Sequence, residues 1–446
     1  MKYLDIDNYL LTSKTAKDIY LTVKNAPLVD LYNKIPLITL VSNKQFTDIW
    51  DFFAATDHHI WELMRRKRIS EDYISGNKPN KDKWKKLASI FPQIGGNPIY
   101  QLVYFNLKHI LRINERIDES NAELIWNKSI EKLQSTDFYP NKILEYANVK
   151  MLYFSCDPTV TLSQLKNQKT QFKISPVLAI NKLLEIDSPE FINYINELDS
   201  KYSTDSTHFS GYKEMIEKII KYFIEFGCTT SVINIFKPHF RYIDDLKAAY
   251  IYSKTIRQEP LTSVDVKEFQ SFMTYFLLDL FKSNNIVTQL HIGTFRNYRG
   301  ISETNTDGDV TSNFIDIENG FKELLNNFGD RLNLIIYLSD MSLLYSTLAI
   351  ARLFPGLHMG LPFSFNNSFT GIYNYLNSIT TMDILSNFAG FASNSSNIIS
   401  IIPKNEIFKR ALSQLIADYI DRGEISEVDG KYIINKICYN NSKCFK

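Results

Sequence analysis

Histidine and cysteine are scarce in this chain, at seven and four of 446 residues. Cys156, Cys228, Cys438 and Cys444 show no CxxC spacing, and long gaps separate the first three. That pattern argues for reduced thiols and against a disulfide framework or a zinc cluster. Net charge is scarce too: 50 basic residues against 49 acidic ones leave +1. This excludes a globally polycationic nucleic-acid binder and confines any anion recognition to a local patch. Long apolar runs are missing. The most apolar stretch, Leu332 to Phe354, is interrupted by Asp340 and several serines, and it divides into a strand-like part and a helix-like part, so no membrane span is expected. Met1 to Leu11 has neither a basic leader nor a continuous apolar segment, which reads as no signal peptide and a cytoplasmic location.

What the chain has is length and alternation. It is about three times a typical 150-residue domain, which allows two or three domains or one large barrel. Short β-branched and aromatic runs bounded by turn residues recur at Pro27–Leu31, Val149–Ser155, Phe172–Val177, Thr229–Ile235, Ile286–Ile292, Leu334–Leu338, Leu357–Leu361 and Phe388–Ala392. Helical patterns lie between most of them; Phe269, Phe272, Met273, Phe276 and Leu280 have the spacing of a core-facing helix. Strand and helix alternating eight times, with strands apolar on both faces, predict an α/β fold of the (β/α)8 barrel kind, with the site at the carboxyl ends of the strands. Residues 36–146, between the first two strands, read as a helical insertion over the barrel mouth. Helical spacing appears there at Phe46–Phe53, Trp61–Arg68 and Ile99–Ile113, and no Gly/Ser/Pro-rich linker sets the stretch apart from a single barrel over 1–446.

The residues then resemble a known family, the uronate isomerases of the amidohydrolase superfamily. The resemblance is carried by Leu4, Asp5, Asp7, Tyr9, Leu10, Leu11, Thr15, Ala16 and Tyr20; by Asp57-His58 with Trp61, Met64 and Arg65; by Ile94-Gly95 with Asn97-Pro98; and by Asp157-Pro158. It continues through Gln289-Leu290-His291-Ile292-Gly293 with Arg296-Asn297, Leu385-Ser386 with Phe388, and Asn440-Asn441. It implies a metal-assisted barrel that interconverts hexuronates such as glucuronate or galacturonate with their ketose forms. An aldose–ketose shift needs a base, an electrophile such as a divalent metal, and a cationic clamp for the carboxylate. The resemblance places His58, His291 and Arg296 in contact with substrate.

At other positions the family pattern is broken. After the lead-in Pro27-Leu28-Val29-Asp30, the positions of the family's His-x-His are Tyr32 and Lys34. Neutral phenol is a poor ligand, and an ammonium has no lone pair. Asn394 stands where the family has an aspartate and Ser396 where it has an arginine. Ala179 replaces the strand-three arginine, Val232 and Ile233 an Asp-His pair, and Pro362-Phe363 two tryptophans. The sequence therefore predicts no metal and a degenerate homologue, a pseudoenzyme whose mouth binds a uronate-like or other anion, with Lys34 and Arg296 as cations, or a protein partner. Two alternatives stay open. One is a hexuronate isomerase with metal-independent chemistry on His58, His291 and Arg296. The other is a scaffold that recognises a macromolecule through the basic segment Arg65–Arg68 and Lys78, Lys81, Lys83, Lys85 and Lys86, for which nucleic acid is the weaker partner because Glu71, Asp72 and Asp82 are interleaved. The oligomeric state is left open.

Overall fold

The runs of β-branched and aromatic residues become seven parallel strands. A computed structural model describes residues 8–167, 170–295, 298, 309–312, 315–362 and 367–441. Its strands are β1 Leu28–Asn33, β2 Val149–Cys156, β3 Lys173–Ala179, β4 Thr230–Ile235, β5 Val287–Ile292, β6 Leu334–Leu338 and β7 Leu357–Met359. They pair side by side in chain order. The eighth expected run completes the ring without regular strand geometry: Phe388 bridges Met359 on β7. On the other side Leu31 N donates to Phe391 O (3.0 Å), Asn394 N to Tyr32 O (2.9 Å) and Lys34 N to Ser395 O (2.8 Å). Segment 388–395 thus closes a (β/α)8 barrel against β1.

Helices fill the connections, as parallel strands require. Helix α1 (Lys14–Val23) precedes β1, and α2 (Leu37–Ser42), α3 (Ile49–Phe53), α4 (His58–Arg66), α5 (Asn80–Ile90), α6 (Pro98–Phe105), α7 (Ala122–Leu133) and α8 (Pro140–Tyr146) lie between β1 and β2. After β3 come α9 (Asn181–Leu184), α10 (Phe191–Tyr202) and α11 (Phe209–Glu225); after β4, α12 (Asp245–Ile256) and α13 (Ser263–Ser283). Then α14 (Ile317–Phe328), α15 (Leu344–Ala351) and α16 (Phe369–Thr381) follow β5, β6 and β7, and α17 (Ile401–Asp421) and α18 (Glu427–Asn435) follow the closing segment. No described helix is long and apolar enough to cross a membrane.

Alternation along the strands sorts two cores. Val29 and Leu31, Met151 and Tyr153, Ile335 and Tyr337 join Val177, Val232, Val287, Ala389 and Ala392 inside the ring. The alternate residues Leu28, Leu152, Phe154, Leu178, Ile233, Leu290 and Ile336 face the helices in the main cluster. Burying each such aliphatic side chain stabilises the fold by about 1.5–3 kcal/mol. Strand β1 bulges: Asp30 pairs with Leu152 and Asn33 with Phe154, so three steps on β1 face two on β2. Through this bulge both Leu31 and Tyr32 belong to the interior cluster.

Two helical readings came out shorter than the sequence pattern. Helix α3 starts only at Ile49, because the Asp48 side chain caps it by accepting from Asp51 N at 2.9 Å. The pattern over Ile99–Ile113 splits into α6 and a π-turn at Asn106–Ile110.

Candidate functional site

The carboxyl end of the ring is where β1, β5, β6 and the closing segment bring the sequence-derived residues together. His291, on the inward face of β5 after Val287 and Gln289, is 4% exposed. Its ring lies edge-on to Tyr32 (centroids 4.6 Å, 75°) and to Tyr337 (4.9 Å, 69°), and those two are 3% and 1% exposed. Three aromatic rings therefore fill the end of the barrel. Tyr337 is wedged over Gly360, where a Cβ would come within 2.2 Å of its ring. Burial first, then Asp30 and the neighbouring tyrosines, push the Tyr337 phenol well above its ordinary pKa, so it stays neutral.

Below the rings lies a polar layer that sequence reading missed. Gln289 Nε2 crosses the interior to donate to Leu31 O on the bulge (2.9 Å) and to Thr230 Oγ1 (3.2 Å). Asp30 is wholly buried. Its Oδ1 accepts from Ser393 N (2.7 Å) and Tyr32 N (3.4 Å), and its Oδ2 from Ser393 Oγ (2.7 Å) and Asn33 Nδ2 (3.1 Å). Burial pushes its carboxyl up to about 6 in spite of these donors. From α17 the buried Lys404 Nζ donates to Ser393 O (3.1 Å) and Ser395 Oγ (3.0 Å). Desolvation lowers its pKa, opposed by Asp57 and Asp30.

The remaining expected site residues are spread around this centre. Lys34 is half-buried at the end of β1. Asn394 adopts a left-handed conformation, φ 47°, which an asparagine tolerates. Its Oδ1 is buried without a hydrogen-bond partner among the described residues. Ser396 Oγ donates to Thr56 O (2.6 Å) and Asn397 Nδ2 to Phe52 O (3.2 Å), so the residues just after the closing segment pin the end of α3 and the turn between α3 and α4. There Asp57 caps α4, accepting from His59 N (3.0 Å) and Ile60 N (3.2 Å). His58, the first residue of α4, packs edge-on against Trp61 at 4.9 Å, while His59 turns away to Glu62 at 3.9 Å. Ala179 and Val232 are paired on β3 and β4, with Val232 inside and Ile233 outside. Arg296 and Phe363 lie outside the described residues.

A divalent cation does not fit these donors. The Asp30 carboxylate is taken up by four hydrogen-bond donors, the Tyr337 phenol is neutral, and Tyr32 on β1 and Lys34 just past its end offer a phenol and an amine in place of imidazoles. Among the described residues no group of three or more His, Cys, Asp or Glu side chains could hold a metal ion.

The lysines of the basic segment are engaged by side chains in and around it. Lys81 and Lys85 pair with Glu123, Lys78 and Lys86 lie over the Tyr73 ring, and Lys83 is buried over Trp50. Arg65 makes a forked pair with Glu71 (2.8 and 2.6 Å) that holds the Glu71 carboxyl down at about 2. Cys156, Cys228 and Cys438 are buried free thiols.

With this geometry in place, a family model described as glucuronate isomerase matches residues 1–445. The uronate isomerase of Thermotoga maritima is 32% identical over 444 residues, covering 98% of each chain. That of Caldanaerobacter subterraneus is 26% identical over 468 residues, covering 99% of this chain and 98% of its own. The crystal structure of the Thermotoga maritima uronate isomerase superposes with a TM-score of 0.95 at 31% identity, covering 98% of each chain. Glucuronate isomerase from Caulobacter crescentus gives 0.93 at 18% identity, covering 98% and 96%, a likeness of fold alone.

Proposed function

The chain belongs to the uronate isomerase family, and from that membership we propose that it acts on hexuronates, interconverting their aldose and ketose forms at the carboxyl end of the barrel. The observation that carries this reading is the completeness of the match, which runs through residues 1–445 and not through one motif. The reaction moves a proton between adjacent carbons while an oxyanion develops, so it needs a base, a stabiliser of that charge and a partner for the substrate carboxylate. On this reading His58 over the mouth or His291 beneath it handles the proton, and Lys34 and Arg296 attract the carboxylate. The unpartnered Asn394 Oδ1 offers an acceptor to a substrate hydroxyl. A cytoplasmic setting goes with it.

The test is to incubate purified protein with D-glucuronate and with D-galacturonate and to follow aldose and ketose signals by NMR. The expected result is ketose formation that Lys34→Ala and His58→Ala each slow by about 10-fold or more, the size of a lost charge-assisted contact or proton-transfer group. A second reading is favoured by the enclosure of His291 between Tyr32 and Tyr337. It is a barrel that binds the hexuronate without turning it over. Saturation transfer to the uronate without any ketose would select that reading.

A further inference from the structure

The misfit between this barrel end and a divalent cation raises a physical question: what holds the seam where the first and last strands meet? A cation at such a seam normally does two jobs, cross-linking the side chains of separate strands and compensating their carboxylate charge. Both jobs have candidates here that come from the chain itself. Lys404 reaches from α17 into the closing segment, where its ammonium, on a residue 5% exposed, has two oxygen acceptors, Ser393 O and Ser395 Oγ. Ser393 in turn holds Asp30 on β1 through both its amide and its hydroxyl, each at 2.7 Å. Ser395 N donates back to Ser393 Oγ at 3.2 Å, and Ser395 O accepts from Lys34 N at 2.8 Å. One buried lysine and one buried aspartate thus flank a single serine, where β1 meets two consecutive elements from the far end of the chain.

We infer that Lys404 is the built-in cation of this barrel, a fixed ammonium that, through Ser393 and Ser395, ties α17 and the closing segment to Asp30 on β1 and leaves the barrel end with no use for a divalent metal. An ammonium is a compact point charge with three donors, suited to bridging carbonyl and hydroxyl oxygens. Because it is part of the chain, it cannot be lost to a chelator. The Tyr32, His291 and Tyr337 rings pack edge-on against one another in the neighbouring space. This holds whether or not hexuronates are turned over, so its failure and that of the proposed function are separable.

The experiment uses the full-length protein. Wild type is equilibrated with excess Zn²⁺ or Mn²⁺, desalted and analysed for metal, and its melting temperature is read with EDTA and with each metal. Less than about 0.1 metal ion per chain and melting temperatures within about 1 °C of each other are expected, since a specific site filled far above its Kd would raise the value by several degrees. Lys404→Met is expected to melt several degrees lower, and added metal does not restore it. Asp30→Asn combined with Lys404→Met is expected to lose less than the sum of the single changes, because both act through Ser393. If Lys404→Met fails to fold, Ser395→Ala, which removes one of the two ammonium acceptors, takes its place and is expected to melt about 1–3 °C lower. Retention of about one metal ion per chain overturns the inference. So does a metal-dependent rise in the wild-type melting temperature, an unchanged melting temperature in the variant that folds, or strict additivity of Asp30→Asn and Lys404→Met.

Discussion

Asparagine in place of Asp30 keeps the shape of the side chain but removes its ability to ionise, and this makes the energetic state of the barrel seam measurable. Burial raises the Asp30 carboxyl from 3.8 to about 6. At about 1.4 kcal/mol per pH unit, a displacement of roughly two units amounts to about 3 kcal/mol between the protonated and ionised folded states. The sign follows from the direction of the shift. The folded protein binds this proton more tightly than the unfolded chain does, so the stabilisation is fully present below the unfolded value near 4 and is lost as pH rises through about 6. Glu71 and Asp265, both held down at about 2, work in the opposite sense. They are common to both proteins, so they cancel in the difference. Urea unfolding of wild type and Asp30→Asn at pH 4, 5, 6 and 7 is therefore expected to show the stability of wild type relative to the variant falling by about 2–3 kcal/mol from pH 4 to pH 7. Any cost of fitting the amide against Ser393 adds a constant offset. A pH-independent difference, or one that grows with pH, would refute the reasoning and show that the Ser393 donors and Lys404 outweigh desolvation.

Further expectations concern packing and caps. Gly360→Ala drives a methyl group into the Tyr337 ring at 2.2 Å. It should lower stability by about 1–3 kcal/mol and change the near-ultraviolet circular dichroism of the buried tyrosines. Thr262→Ala removes the N-cap of α13, whose hydroxyl accepts from Asp265 N at 3.1 Å in a capping box. A loss of about 1 kcal/mol in chemical denaturation is expected. Ser396→Ala frees the α3–α4 turn from the residue just after the closing segment, so hydrogen exchange should quicken around Thr56–His58 while the strand amides stay protected.

How much of this was legible in the sequence depends on burial more than on residue type. The strands were legible because alternation inside a barrel leaves apolar residues on both faces. Runs such as Leu334–Leu338 are buried at every position and read as continuous hydrophobic segments. The eighth run was legible as well, though its hydrogen bonds continue to Ser395, past the last β-branched or aromatic signal. Helix ends were harder, since Asp48 cuts the Phe46–Phe53 pattern short by capping it. At the site, the positions of Tyr32, Lys34 and Asn394 were found from the family resemblance. The Asp30–Ser393–Lys404 network was not, because lysine and serine on a surface and at a seam look alike in a sequence. The one available signal was Lys404 standing on a helix with Phe408, Ala411, Leu412 and Leu415, where Lys409 and Arg410 are buried with it. The meeting of Tyr32, His291 and Tyr337 joins residues from three strands, and no local pattern announces it.

The central claim is that this chain acts on hexuronates with its own side chains. The measurement that tests it most directly is the initial rate of aldose-to-ketose conversion of D-glucuronate and D-galacturonate by EDTA-treated, desalted protein, with and without added Zn²⁺ or Mn²⁺. The account predicts ketose formation at a rate that added metal changes by less than about two-fold, whereas loss of a required catalytic metal would cost several kcal/mol of barrier. Conversion that appears only when metal is added back, or no conversion of either uronate in any arm, would contradict it.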